Sequence, residues 1–223
     1  MTLPSNAPRS LTRSAAPKAL NLELVGSIVR LQIQVSSLKQ GERPRSWYDP
    51  GPIQSLKALR IDSGGVHGIA DLTGDEISDV HHRDHPMTKF RGENGISLGF
   101  TSHYQRMRNR FGPHLSDGVA GENILVNTDR IITDEDLLNG VVIITRHGPV
   151  SLGSAEIAKP CVEFSKFCGG YEPDQLADST ITETLQFLFD GTRGFYVRYD
   201  QEVPRQSQVS VGDFVYRRLN AVS

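Results

Sequence analysis

The sequence predicts a mainly β domain, built as an antiparallel barrel or sandwich with small helices attached. Short segments rich in β-branched residues recur along the chain, and few stretches show the period of a helix. The 223 residues include 21 glycines and 12 prolines, many of which fall in turns between these segments. Many short strands with few helices are typical of antiparallel barrels and sandwiches.

Residues 1–20 differ in composition from the rest of the chain. They are rich in Ser, Pro and Ala and carry three basic residues but no acidic residue. Such a start is compatible with a mitochondrial transit peptide, but three prolines interrupt any amphipathic helix, which favours a disordered tail. We therefore expect residues 1–22 to be a disordered tail and residues 23–218 to form one domain.

The first half of the domain begins with two predicted strands. A β-branched run predicts a strand over residues 23–33, and residues 55–61 look like a second strand that ends before two glycines. A surface loop rich in glycine and proline separates them over residues 41–52. Residues 63–96 are polar and rich in Gly, His and Asp, with little periodicity. A stretch of this length is usually a functional loop system or disorder. A weak helical pattern follows, and we expect a helix near residues 98–111.

The second half of the domain alternates strands with one clear helix. Residues 141–145 and 150–158 predict a hairpin around a Gly-Pro turn. Thr180 and Glu183 have the spacing of a capping box, and the apolar residues behind them predict a helix over residues 180–190. Further strands are predicted at residues 124–126, 195–198 and 214–217.

Charge and composition exclude several classes of function. The 24 Lys and Arg residues nearly balance the 26 Asp and Glu residues, so the chain has no charge surplus with which to bind nucleic acid or an anionic membrane. No apolar run approaches the roughly 20 residues of a membrane helix. Two cysteines are too few for a disulfide scaffold. We therefore expect a cytoplasmic protein without a nucleic-acid or membrane partner.

A histidine-rich segment suggests a metal site. It contains His81, His82, Asp84 and His85, and imidazole and carboxylate are common metal ligands. The spacing matches no helix-based zinc motif, and spacing alone favours a solvated loop.

The two cysteines differ in their sequence neighbours. Cys161 directly follows Lys159 and Pro160, and Lys166 lies between the two cysteines. Nearby cations stabilise a thiolate, which is the nucleophile and the soft metal ligand. The alternative is that both cysteines are small apolar core residues, the usual environment of a free cysteine.

Glycine-rich turns occur at residues 64–68 and 121–123. Their glycines permit positive φ at barrel corners, or let backbone amides approach an anionic ligand. Arg193 lies between two glycines and is a candidate phosphate contact, with a surface turn as the alternative.

Taken in order, these segments resemble the MOSC domain, named for the C-terminal part of molybdenum-cofactor sulfurases. The matching segments keep the order of the family and are Val25-Gly-Ser-Ile28, Gly65-Val-His-Gly68, Gly74-Asp75, His81-His82, Gly121-Glu-Asn-Ile124, Lys159-Pro-Cys161, Gly191-Thr-Arg-Gly-Phe-Tyr196 and Val211-Gly-Asp213. The resemblance leaves open whether Asp71 or Asp75 takes the family's aspartate position.

The resemblance implies a β-barrel-like domain that binds a molybdopterin-type cofactor. It implies that Cys161 is the molybdenum ligand or a sulfur-carrying residue. Some relatives reduce N-hydroxylated compounds and receive electrons from a reductase protein. Others are joined to a cysteine desulfurase-like half, so pyridoxal phosphate enters by family association only.

The resulting hypothesis is a molybdenum-dependent oxidoreductase that reduces small N-hydroxylated compounds. The alternatives are a carrier of the cofactor or of persulfide sulfur, and a barrel that has lost the cofactor and binds another small molecule. We expect Cys161 to face a pocket lined by residues 64–68 and 121–123, and Cys168 to be dispensable. The expected catalytic residues are Cys161 and His67, with a residue of the His81–His85 loop as the alternative to His67 for proton delivery. The expected cofactor-binding residues are Gly65, Gly68, Glu122, Asn123, Lys159 and Arg193.

Overall fold

A computed structural model describes residues 21–173, 175–200 and 207–220, in which strands outnumber helices. The strands are β1 (Leu22–Gln34), β2 (Lys39–Gln40), β3 (Trp47–Tyr48), β4 (Ile53–Leu56), β5 (Ala58–Asp62), β6 (Gly65–Ile69), β7 (Glu76–Ser78), β8 (Ser97–Phe100), β9 (Ile124–Asn127), β10 (Val141–Thr145), β11 (Gly148–Ile157), β12 (Phe195–Tyr199), β13 (Ser207–Ser210) and β14 (Phe214–Arg218). The helices are α1 (Thr101–Phe111), α2 (Val162–Cys168) and α3 (Thr180–Phe189), with one 3₁₀ turn at Glu135–Leu137. Of the tail expected at residues 1–22, residues 1–20 lie outside the described residues, and Leu22 belongs to β1.

Seven strands close into a barrel in the order β14, β10, β11, β12, β8, β9 and β1, and β1 pairs with β14 to complete the circle. All of these pairs are antiparallel except β8 with β9, which is parallel. β4 continues the sheet beyond the barrel by pairing with the end of β1. The mainly β, mostly antiparallel barrel expected from the sequence is therefore confirmed.

β1 can serve three partners because it is long and carries a bulge. Its 13 residues pair with β14, then β9, then β4. The register with β14 shifts between Leu24 and Gly26, and a Cβ on Gly26 would lie 1.9 Å from the Asn127 carbonyl oxygen. Only glycine permits this close backbone approach, so Gly26 allows the barrel to close.

A second sheet of four strands, in the order β13, β5, β6 and β7, shares the apolar core of the barrel. It corrects two expectations. Residues 63–96, expected to be irregular, contain β6 and β7, and the single strand expected over residues 55–61 is divided between β4 and β5. These two strands belong to different sheets, and only Lys57 separates them.

The helices pack in a second apolar cluster that includes Tyr104 of α1, Phe164 of α2 and Leu188 of α3. α1 and α3 lie near the expected positions, although residues 98–100 belong to β8 rather than to a helix. The capping box expected for α3 is wrong, because Ser179 is the N-cap and Asp178 accepts the Thr180 amide proton. α2 was not expected. None of the described helices is long and apolar enough to cross a membrane.

Candidate functional site

A cavity of about 220 Å³ brings together side chains from distant parts of the chain. Cys161 lines it, and five cationic side chains share the lining: Lys39, Lys89, Arg91, Lys159 and Arg193. The described residues that line the cavity include no Asp or Glu. Lys39 pairs with Glu163 at 3.5 Å and Arg193 with Glu122 at 3.6 Å, whereas Lys89, Arg91 and Lys159 form no ion pair with a described residue. The cavity therefore combines a thiol with three such cations, which favours an anionic ligand.

Cys161 is held in place by α2. It is the N-cap of that helix, and its Sγ accepts a hydrogen bond from the Phe164 amide at 3.5 Å. Phe164 is buried between Tyr48 and Phe167, so the helix start is anchored in the apolar cluster. The Cys161 side chain remains partly exposed to the cavity. The Cys161 backbone is therefore fixed, while its sulfur remains accessible from the cavity.

Lys159 and Lys166, which lie near Cys161 in the sequence, have different environments in the structure. Lys159 lines the cavity. Lys166 is buried and its Nζ donates to the Ser46 carbonyl at 3.0 Å, so it does not act on the sulfur from within the cavity. Lys39, Lys89 and Arg91 were missed by the sequence analysis. Their sequence positions carry no motif, and only folding brings them together.

Arg193 is a buried cation at the cavity wall. Its Nη2 donates to the Ala120 carbonyl at 2.8 Å, whereas Nη1 lies 3.6 Å from Glu122 Oε1 and has no hydrogen-bond partner among the described residues. Burial alone would lower the pKa of Arg193, but the Glu122 carboxyl holds that pKa above its ordinary value. The guanidinium therefore stays charged, with one donor unsatisfied.

Glu122 and Asn123 support the cavity from behind rather than lining it. Glu122 is 1% exposed and accepts a 2.6 Å hydrogen bond from the Tyr104 hydroxyl. Burial raises the pKa of Tyr104, and the Glu122 charge raises it further, so the hydroxyl remains a donor. Asn123 Oδ1 accepts from the Ser97 amide at 3.0 Å, which ties β8 to the segment before β9. Both residues support the part of the cavity wall that Gly121 forms, and Gly121 has a φ of +86°.

The expectation that residues 64–68 line the Cys161 cavity is wrong. Gly65, His67 and Gly68 lie on β6, which belongs to the second sheet. A Cβ on Gly68 would lie 2.1 Å from Leu56 Cδ1, so this glycine serves core packing. The structure brings Lys159 and Arg193 to the cavity with Cys161, but not His67.

His67 instead belongs to a separate cluster with Asp62 and His82. Their ligand atoms lie within 4.8 Å of one another, and two histidines with a carboxylate form a donor set that zinc uses. However, the Asp84 amide donates to His82 Nδ1 at 3.1 Å, so the neutral His82 ring carries its proton on Nε2. That nitrogen lies 3.1 Å from Asp62 Oδ1. Asp62 also accepts from Arg60 at 2.6 Å, and the cluster is best described as a hydrogen-bonded network.

Cys168 differs from Cys161 in burial. It is fully buried in the helical cluster, and burial raises its pKa to about 12. At pH 8 roughly one Cys168 in ten thousand would be a thiolate, the form that reacts with alkylating reagents. The two thiols should therefore differ strongly in reactivity.

Iodoacetamide at pH 8 should alkylate Cys161 in the folded protein and leave Cys168 unmodified, because only Cys161 is accessible. Peptide mass spectrometry over time measures both rates. In concentrated urea the two rates should converge, which serves as the control. Equal rates in the folded protein would contradict the placement of Cys161 at the cavity.

Comparison with known proteins finds solved structures with a similar fold. No family model matches the sequence, and no curated protein matches it. The solved structure of the YuaD protein from Bacillus subtilis is 17% identical and has a TM-score of 0.54, covering 87% of this chain and 97% of YuaD. A second structure, described as a hypothetical protein, is 14% identical with a TM-score of 0.50, covering 90% of this chain and 71% of its own. At these identities the chain shares a fold with both proteins.

Proposed function

We propose that the chain is a MOSC-type protein that holds a molybdopterin-type cofactor through Cys161 and reduces small N-hydroxylated compounds. The observation that carries the proposal is the cavity itself, in which one accessible thiol stands among five cationic side chains and no carboxylate of the described lining. The sequence resemblance names the same cysteine.

The donor set suits such a cofactor. Thiolate is a soft ligand that complements a metal already held by dithiolene sulfur. Lys159, together with Lys89 and Arg91 of the same lining, would bind the cofactor's phosphate, since guanidinium and ammonium groups are the usual phosphate partners. Arg193 would add its charge from the wall, because its Nη1 is buried 3.6 Å from Glu122 Oε1. The cavity is smaller than the roughly 300–1,000 Å³ common for small-molecule sites, so a ligand of this size would extend beyond it.

The chain's own contribution is binding and orientation. When bound, the cofactor would supply two-electron redox chemistry that converts an N–OH group and two protons into N–H and water. Cys161 would anchor it on the start of α2, and the cations would hold its anionic part. The electrons would come from a separate donor protein, and the substrate would enter from solvent through the cavity mouth.

Molybdenum content tests this proposal. Wild type from a molybdate-fed host should carry molybdenum, and Cys161→Ala should lose most of it because the thiolate ligand is absent. Inductively coupled plasma mass spectrometry measures the metal per chain. Cys168→Ala is the matched control and should retain wild-type content.

Equal molybdenum in wild type and Cys161→Ala would contradict the proposed ligand. The partly exposed Cys161 would also suit a carrier of cofactor or persulfide sulfur. Loaded protein that reduces no N-hydroxylated substrate, but transfers its cofactor to an apo-molybdoenzyme, would replace the reductase with the carrier.

A further inference from the structure

A buried carboxylate lies behind the cavity and has four N–H donors. Asp79 is 0% exposed, and its Oδ2 accepts from the Gln34 amide at 2.7 Å and from Asn123 Nδ2 at 3.0 Å. Its Oδ1 accepts from the His81 amide at 2.7 Å and lies 3.0 Å from His81 Nδ1. These donors come from β1, from the wall before β9 and from the segment after β7, so the carboxylate is held rigidly.

The Asp79 contacts determine the proton position on His81. An ionised carboxylate only accepts hydrogen bonds, so His81 Nδ1 must be the protonated nitrogen that donates to it. The neutral ring then has an unprotonated Nε2. This nitrogen makes no hydrogen bond to any of the residues that the structure describes, and the His81 side chain lines the cavity with 24% of its surface exposed.

We propose that His81 is the proton-transfer residue of the Cys161 cavity, with Asp79 as its positioning residue. A carboxylate that orients a histidine through Nδ1, and leaves Nε2 for the reacting group, is an established arrangement for acid–base catalysis. The role rests on the proposed function, and it takes the place of the one expected for His67, which lies outside the cavity.

The proton step balances with the reduction of an N–OH group. Protonated His81 gives its Nε2 proton to the hydroxyl oxygen as the N–O bond breaks, and the oxygen leaves as water. The nitrogen of the substrate receives two electrons, which a one-electron donor protein supplies in two steps, and a second proton from solvent. His81 returns to the neutral form that Asp79 orients and is protonated again from solvent.

The first test is independent of the cofactor. Nitrogen-15 NMR of the histidine rings at a pH where His81 is neutral should show Nδ1 protonated and Nε2 unprotonated. His81→Ala identifies the signals by their loss. A neutral His81 with its proton on Nε2 would overturn the Asp79–His81 arrangement.

The second test uses molybdenum-loaded protein. His81→Ala should keep wild-type molybdenum content and KM but lower kcat by about 10²–10⁴-fold, the usual contribution of a general acid. Added imidazole should restore part of kcat, which a purely structural role would not permit. His85→Ala, in the same segment, is the matched control and should match wild type.

Each remaining outcome has one meaning. Loss of molybdenum in His81→Ala would make His81 a ligand-holding residue and overturn the proton-transfer role, as would an unchanged kcat. Loaded wild type without turnover would overturn the proposed function and this role together, and the NMR result would still decide whether Asp79 sets the His81 tautomer.

Discussion

Replacing Cys161 by serine should abolish reduction of an amidoxime or a similar N-hydroxylated compound, with a loss of at least about 10²-fold in kcat at matched molybdenum content. Serine is nearly the same size and accepts the same hydrogen bond from the Phe164 amide, so the start of α2 should persist. Its oxygen is a harder ligand than sulfur and would change the electronic properties of a bound metal. The chemistry of the ligand atom would therefore change while the backbone stays in place.

Turnover is measured with an artificial one-electron donor. Cys168→Ala is again the control and should retain turnover, because Cys168 packs in the helical cluster away from the cavity. If Cys161 were only a small packing residue, Cys161→Ser would leave turnover unchanged and cost on the order of 1 kcal/mol of stability. Turnover equal to that of wild type would contradict the reductase proposal.

Replacing Arg193 by methionine should lower the free energy of unfolding by about 3–5 kcal/mol, the usual cost of removing one partner of a buried ion pair. Glu122 is 1% exposed and its Oε1 lies 3.6 Å from Arg193 Nη1. Without the guanidinium, the Glu122 carboxyl would stay buried with the Tyr104 hydroxyl bonded to its other oxygen, and its pKa, which burial already raises, would rise further. Urea denaturation followed by circular dichroism measures the change.

The double variant Arg193→Met with Glu122→Gln provides the control. Glutamine removes the charge but still accepts from the Tyr104 hydroxyl, so the double variant should be more stable than Arg193→Met alone. If Arg193→Met lowers the free energy of unfolding by the same amount in the wild-type and the Glu122→Gln backgrounds, the ion pair is not the source of the loss.

The strands and helices with a strong local pattern could be predicted from the sequence. The hairpin of β10 and β11 lies at residues 141–157, close to the prediction, because β-branched residues are frequent in this part of the chain. Its turn is formed by Arg146 and His147, whereas Gly148 and Pro149, expected in the turn, already pair within β11. α3 spans Thr180–Phe189 because its apolar residues recur with the period of a helix. In both cases the residues that define the element are neighbours in sequence.

Elements without a strong local pattern were missed. α2 has only seven residues, too few to show a period, and a cysteine is not a usual N-cap. The break between β4 and β5 has no local signal, because both strands continue one β-like pattern and differ only in the sheet that each one joins. Pairing with β1 on one side and with β13 on the other decides that break.

The candidate site divides in the same way. The sequence by itself determined that Cys161 has a distinctive setting, and that Lys159 and Arg193 were candidates for an anionic ligand. Only the tertiary structure decided that His81 rather than His67 lies with Cys161. The two histidines are 14 positions apart, but β6 carries His67 into the second sheet while buried Asp79 holds His81 at the cavity. Strand pairing and buried hydrogen bonds between distant segments determine these positions, and residue spacing along the chain does not encode them.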